Sequence, residues 1–156
     1  MDHPDNNDRK RLFAKWGDHH KHIDVWKTLH SLGVLHTTHA LGKVVFIVCL
    51  PGCKAQILHT DYEFSGWPPD SHHVPFGMLL ALTARTTIVY PKSHRQDEPK
   101  CGPCTVYMQP GDVVLTRGDV DHHGDASEHF TLGVHAYVDV PSFKGGKHKP
   151  NAIHVD

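Results

Sequence analysis

Residues 43–61 have the sequence Lys43-Val-Val-Phe-Ile-Val-Cys-Leu-Pro-Gly-Cys-Lys-Ala-Gln-Ile-Leu-His-Thr-Asp61. The β-branched apolar run Lys43–Cys49 predicts a strand, because branched side chains pack well on a pleated surface. The Pro-Gly pair that follows favours a turn. A second strand is then predicted over Lys54–Thr60, and it leads directly into a His-x-Asp sequence.

The rest of the chain continues this β pattern. Further strands are predicted at Phe76–Ala84, Thr86–Tyr90, Thr105–Gln109, Asp112–Arg117 and Phe130–Val140. Strands at intervals of about ten residues with turn signals between them indicate a sandwich or a barrel. Apolar residues recur at steps of three and four over Arg9–Leu32, which predicts one or two N-terminal helices. We therefore expect a mostly β fold with these helices packed outside it.

A chain of 156 residues is about the length of one domain. The expected organisation is a disordered leader at residues 1–8, a single domain at 9–140 that is helical over 9–32 and has its β core at 43–140, and a flexible tail at 141–156.

Composition excludes several classes of protein. Sixteen basic and seventeen acidic residues give a net charge of −1, so nucleic acid is not an expected partner. The longest apolar run, Val44–Leu50, is too short to span a membrane. The N-terminus is polar and acidic, unlike a secretory signal, and this predicts an intracellular protein with free thiols.

Histidine is unusually abundant, with 17 residues in the chain. His59 and Asp61 are two residues apart at the end of a predicted strand, so their side chains leave the same face. A second imidazole from another strand would complete a two-histidine, one-carboxylate triad, the geometry typical of non-haem Fe(II) sites. His122 and His123, which follow the predicted strand Asp112–Arg117, are both candidates for that ligand.

Four segments, taken in order, resemble the Fe(II)/2-oxoglutarate-dependent oxygenase superfamily, and within it the phytanoyl-CoA-hydroxylase-like members. The segments are Pro51-Gly-Cys-Lys-Ala-Gln-Ile-Leu-His-Thr-Asp-Tyr62, Tyr90-Pro-Lys-Ser-His94, Gly111-Asp-Val-Val-Leu-Thr-Arg-Gly-Asp-Val-Asp-His-His-Gly124 and His135-Ala-Tyr-Val-Asp139. The resemblance covers about residues 43–140. It implies a double-stranded β-helix, or jelly roll.

The same resemblance implies a site and a reaction. The metal ligands would be His59, Asp61 and His122, with Fe(II) and 2-oxoglutarate as cofactors. The reaction would be hydroxylation of an unidentified small-molecule or peptide substrate. Trp67, in the loop that follows the His-x-Asp sequence, is a candidate substrate contact.

The sequence departs from the family at one position. Family members carry an arginine or a lysine about ten to twelve residues after the distal histidine, where it binds the far carboxylate of 2-oxoglutarate; here that position is Gly133. Arg85 or Arg117 would have to supply the cation instead, and His135 is expected to line the same pocket. The alternative is a non-catalytic jelly-roll module for binding or structure that no longer uses 2-oxoglutarate.

The role of the cysteines stays open at this point. They form two closely spaced pairs, which is compatible with an all-thiolate zinc site, with a redox pair or with ordinary free thiols. The four residues are Cys49, Cys53, Cys101 and Cys104.

Overall fold

The computed structural model describes residues 10–15, 24–62, 74–95 and 101–141. The elements in this part of the chain are β1 (Arg11–Lys15), α1 (Asp24–Ser31), β2 (Ala40–Cys49), β3 (Phe76–Ala81), β4 (Arg85–Val89), β5 (Cys104–Met108), β6 (Val113–Arg117), β7 (His122–Gly124) and β8 (Thr131–Asp139). The predicted leader and all of the predicted tail except its first residue lie outside the described residues.

The strands form two antiparallel sheets. The larger has the order β1-β2-β8-β3-β6 and the smaller has the order β5-β4-β7. Side chains of the two sheets meet between them, as where Arg85 of β4 reaches Gly133 of β8. The predicted mostly β, jelly-roll fold is confirmed.

The larger sheet buries both of its faces. Its outer face carries Val44, Met78, Val134, Ala136 and Val138, which form a core cluster with Leu35 and are covered by apolar side chains of α1. Its inner face contributes to a second cluster made of Phe13, Val45, Ile47, Cys49 and Cys53. Because side chains alternate along a strand, the residues of β8 between the outer core positions point into the space between the sheets. These inner residues of β8 are Gly133, His135 and Tyr137.

The helical prediction is only partly right. Asp24–Ser31 is a helix, but the predicted helix is wrong for Arg11–Lys15, which form a strand paired with β2. The apolar residues of this short segment fit the periodicity of a helix or that of a strand, and pairing with β2 selects the strand. As a strand, the segment satisfies backbone groups along an edge of β2 that would otherwise be unpaired. Residues 16–23 lie outside the described part.

The segment before His59 is extended but is not a regular strand. It touches the rest of the sheet at two isolated bridges, Cys53 with Ser127 and His59 with His122. Between the bridges, the amide of Gln56 donates to the carbonyl of Gly124 at 2.9 Å. This irregular segment continues the smaller sheet beyond β7 and carries His59 to its place.

The described helix, α1, is neither long enough nor apolar enough to cross a membrane.

Candidate metal centre

His59 and His122 are held side by side by backbone pairing. The amide of His59 donates to the carbonyl of His122 at 3.1 Å, and the amide of His122 donates to the carbonyl of His59 at 2.9 Å. Residues opposite each other in an antiparallel pair project to the same face. The ring centroids are accordingly 4.7 Å apart.

A nearby backbone carbonyl sets the tautomer of each imidazole ring. Nδ1 of His59 lies 2.8 Å from the carbonyl oxygen of Ile57, and Nδ1 of His122 lies 3.0 Å from that of Val120. A carbonyl only accepts, so each Nδ1 carries a proton, and Nε2 is the ring nitrogen that remains to face the site. Burial, together with the neighbouring His122, lowers the pKa of His59 to about 4, so this ring is neutral at physiological pH.

Asp61 completes the group. Its carboxylate is buried, with Oδ2 3.6 Å from Nε2 of His122. Ligand atoms of His59, Asp61 and His122 all lie within 4.8 Å of one another. Burial opposes ionisation of Asp61, but the surrounding imidazoles, His135 foremost, hold its pKa below the usual range. Two imidazole nitrogens and one carboxylate suit a first-row divalent metal. The side chains of the predicted triad converge on one point.

The turn that carries Asp61 is fixed by the next residue. Tyr62 is fully buried, its amide donates to the carbonyl of Gly118 at 2.9 Å, and its hydroxyl donates to Oδ1 of Asp139 at 2.8 Å. On the other side, the carboxylate of Asp61 lies directly over Gly77, where a Cβ atom would overlap its Oδ2. Asp61 can occupy this position only because residue 77 has no side chain.

The Gly77→Ala variant is therefore expected to lose metal affinity. The new methyl group must displace the carboxylate, and we expect binding at least about tenfold weaker, on the scale seen when ligand orientation is disturbed. Calorimetric titration with Mn²⁺ measures this. Gly102→Ala is the matched control, because a Cβ atom at position 102 meets nothing within 4 Å. Equal affinity in the two variants would contradict the placement of Asp61 over Gly77.

His135 lies beside Asp61. Its Nε2 is 3.3 Å from both Oδ1 and Oδ2 of Asp61. An ionised carboxylate only accepts, so Nε2 of His135 carries a proton and donates to it. The ring packs edge-on against Tyr137, with centroids 4.9 Å apart. His135 thus orients the carboxylate of the candidate metal site.

Arg85 also enters the interior. Its guanidinium lies against Gly133, where any Cβ atom would overlap Nη1. The residue is 8% exposed, and among the described residues its Nε and Nη1 have no hydrogen-bond partner. Gly133 and His135 are two residues apart on one face of β8, a rise of about 7 Å. The guanidinium of Arg85 therefore lies about two residues further along the barrel interior than His135, which contacts the triad.

The structure does not bring Arg117 to this site. Its Nε donates to Oδ1 of Asp119 at 2.7 Å and its Nη2 donates to Oδ2 at 3.2 Å. Along β6 it also shares a face with Val113 and Leu115, which pack in the outer core. Trp67 lies outside the described residues, and its proposed contact with substrate stays a prediction.

The cysteines do not form a four-thiolate site, and that alternative is wrong. Cys49 and Cys53 are buried in the inner core cluster, whereas Cys101 and Cys104 are exposed. In the part of the chain that the structure describes, the triad is the one cluster of three or more potential metal ligands.

Two thiols should therefore react with iodoacetamide quickly and two slowly. Cys101 and Cys104 are accessible. Cys49 and Cys53 are each 2% exposed, and burial raises the pKa of Cys53, so little of its reactive thiolate is present near pH 8. Mass spectrometry of the alkylated native protein measures the difference, with urea-unfolded protein as the control. Rapid labelling of Cys53 in the native protein would contradict its placement.

The sequence matches no protein-family profile and no curated protein sequence. Solved structures do match. AviO1 from Streptomyces viridochromogenes Tue57 is 13% identical with a TM-score of 0.59, over 69% of this chain and 54% of that one. The non-heme monooxygenase ThoJ, solved as a nickel complex, is 15% identical with a TM-score of 0.56, over 75% and 50%. The non-heme alpha ketoglutarate dependent epimerase SnoN from nogalamycin biosynthesis is 16% identical with a TM-score of 0.54, over 74% and 53%.

These comparisons show that the chain has the fold of non-heme oxygenases of this kind. The chain spans about half the length of the structures that it matches. Together with the converging His-x-Asp and His122 side chains, the shared fold agrees with the resemblance found in the sequence.

Proposed function

We propose that this chain is an Fe(II)/2-oxoglutarate-dependent oxygenase that hydroxylates a small-molecule or peptide substrate. The observation that carries the proposal is the hydrogen bonding of the two imidazole rings in the triad. Nδ1 of each histidine donates a hydrogen bond to a backbone carbonyl, which leaves the two Nε2 atoms facing one buried carboxylate. The fold shared with non-heme oxygenases supports the same conclusion.

The chain's residues have distinct tasks in this proposal. His59, Asp61 and His122 hold the metal on one face and leave its other positions to the co-substrate and oxygen. When bound, Fe(II) with 2-oxoglutarate supplies the oxidative chemistry. His135 keeps its proton on Nε2 and donates a hydrogen bond to the carboxylate of Asp61, which fixes the orientation of the carboxylate and favours its ionised form.

Arg85 is the proposed anchor for the far carboxylate of 2-oxoglutarate. Its position against Gly133 places a guanidinium in the space that the missing family side chain would fill. Its buried nitrogens lack a partner among the described residues, and a buried cation of this kind is costly unless a ligand pairs with it. A guanidinium also matches a carboxylate in geometry, because two parallel N–H groups can meet its two oxygens.

A non-catalytic jelly-roll module is the alternative, and the same features disfavour it. A protein without a ligand gains nothing from an inward Arg85 whose buried nitrogens lack a partner among the described residues, or from the buried carboxylate of Asp61. Such groups are more readily explained by a site that binds both a cation and an anion.

The test is an anaerobic titration of the protein with Fe(II) and 2-oxoglutarate. Chelation of iron by the keto acid gives a weak visible charge-transfer band, which we expect in the natural protein and not in the His122→Ala variant. The absence of a band at millimolar 2-oxoglutarate, in protein that binds Fe(II), would overturn the co-substrate assignment. In that case the metal site alone would stand.

A further inference from the structure

A second arginine is buried at the same end of the barrel as Arg85. Arg11 is 6% exposed and lies on β1 directly opposite Cys49 of β2. Its Nη2 donates to the carbonyl of Lys54 at 2.8 Å and to that of Asp125 at 3.0 Å. These neutral acceptors fix the guanidinium in one orientation but leave its positive charge unbalanced.

The other terminal nitrogen of Arg11 points inward. Nη1 is buried and has no hydrogen-bond partner in the described part of the chain. A Cβ atom at Gly124 would lie 2.6 Å from it. Gly124 is two residues from the ligand His122 on β7, and it pairs across the sheet with Thr87, which is two residues from Arg85. Arg11 therefore presents a free donor between the metal ligands and Arg85.

Within the described ranges, nothing neutralises these two cations. No carboxylate among the described residues forms an ion pair with Arg11 or with Arg85. The nearest sulfur, Sγ of Cys53, lies 3.5 Å from Nη2 of Arg11. Burial raises the pKa of this thiol, so it stays protonated and supplies no negative charge.

Arg85 also lines a cavity of about 300 Å³ together with Cys49, Met108, Asp125 and Glu128. This cavity includes neither Arg11 nor a metal ligand. Two buried guanidiniums with donors that the described residues leave unpartnered, held by strands of different sheets, are themselves the features of an anion site built from both side chains.

We infer that Arg11 is a second co-substrate-binding residue, whose Nη1 donates to the same far carboxylate that Arg85 binds. The inference rests on the proposed function, since it names a second residue that binds the far carboxylate of 2-oxoglutarate. Two guanidiniums from different sheets can meet the oxygens of one carboxylate from two directions. This arrangement selects a keto acid that carries a second carboxylate.

The test compares 2-oxoglutarate with 2-oxopentanoate, which has the same carbon chain and the same metal-chelating end but no far carboxylate. Dissociation constants are measured by anaerobic calorimetry on Fe(II)-loaded protein. Arg11→Gln should bind 2-oxoglutarate about 10- to 100-fold more weakly than the natural protein, the effect of one lost charge-assisted hydrogen bond. Its affinity for 2-oxopentanoate should stay the same. Lys10→Gln removes a charge from the neighbouring exposed residue and is the matched control.

The outcomes separate the two proposals. If the natural protein binds Fe(II) but neither keto acid, the proposed function fails, and this inference fails with it. If the natural protein prefers 2-oxoglutarate and Arg11→Gln keeps the full preference, only the role of Arg11 is overturned. Equal weakening of both ligands would also overturn it, because that result describes a purely structural residue. Should Arg11→Gln not fold, Arg11→Lys keeps the charge and is expected to show an intermediate loss of preference.

Discussion

The His122→Ala variant is expected to lose stoichiometric metal, while His123→Ala keeps it. The two residues are neighbours on β7, so their side chains lie on opposite faces. His122 faces Asp61, whereas the ring of His123 lies 6.2 Å from that of Tyr90. Removing one of three protein ligands should weaken binding by more than the roughly 10- to 100-fold that follows loss of a residue merely supporting a ligand.

The measurement is metal content after anaerobic reconstitution with Fe(II) and gel filtration. The natural protein and His123→Ala should retain about one iron per chain, and His122→Ala should retain close to none. His123→Ala is a sensitive control, because it removes the same side chain from the adjacent position. Any iron that it retains above one per chain also measures binding by the many other histidines. Loss of iron from His123→Ala alone would place the third ligand one residue further along the chain.

The metal triad could be predicted from the sequence because it depends on simple local geometry. His59 and Asp61 follow a turn signal and are two positions apart, so an extended segment projects both side chains from the same face. The choice between His122 and His123 needed the resemblance to a known family, because β7 is three residues long and has no apolar pattern. A short strand of this kind is defined by its partners rather than by its own residues.

The inward positions of the two buried arginines could not be predicted in the same way. Arg11 lies in a segment whose apolar residues suggest a helix, and only pairing with β2 turns it inward. Arg85 was a candidate through its nearness to the predicted strands, yet its contact with Gly133 joins residues far apart in the chain. Gly77 likewise has a role only because Asp61 folds over it. These contacts between sheets depend on packing, which no periodicity in the sequence reports.

Moving the arginine from position 85 to position 133 is expected to restore 2-oxoglutarate binding. Arg85→Ala alone should bind 2-oxoglutarate about 100-fold more weakly, because the far carboxylate loses its main charged partner. Without ligand, this variant should unfold no more easily than the natural protein, since the substitution removes an unbalanced buried charge. Gly133→Arg alone should be strongly destabilised, because the new side chain overlaps the guanidinium of Arg85 and adds a second buried cation.

The double variant Arg85→Ala/Gly133→Arg removes the overlap and returns one guanidinium to the same space from the other sheet. We expect it to fold and to bind 2-oxoglutarate within about tenfold of the natural protein, so that the two substitutions are strongly non-additive. Calorimetry gives the affinities, and thermal unfolding gives the stabilities. A double variant that folds and binds iron but not 2-oxoglutarate would show that the two positions do not share one space around the ligand. Recovery would mean that Arg85 compensates for Gly133. The guanidinium that family members carry on β8 then comes from β4 in this chain, and it binds the same carboxylate.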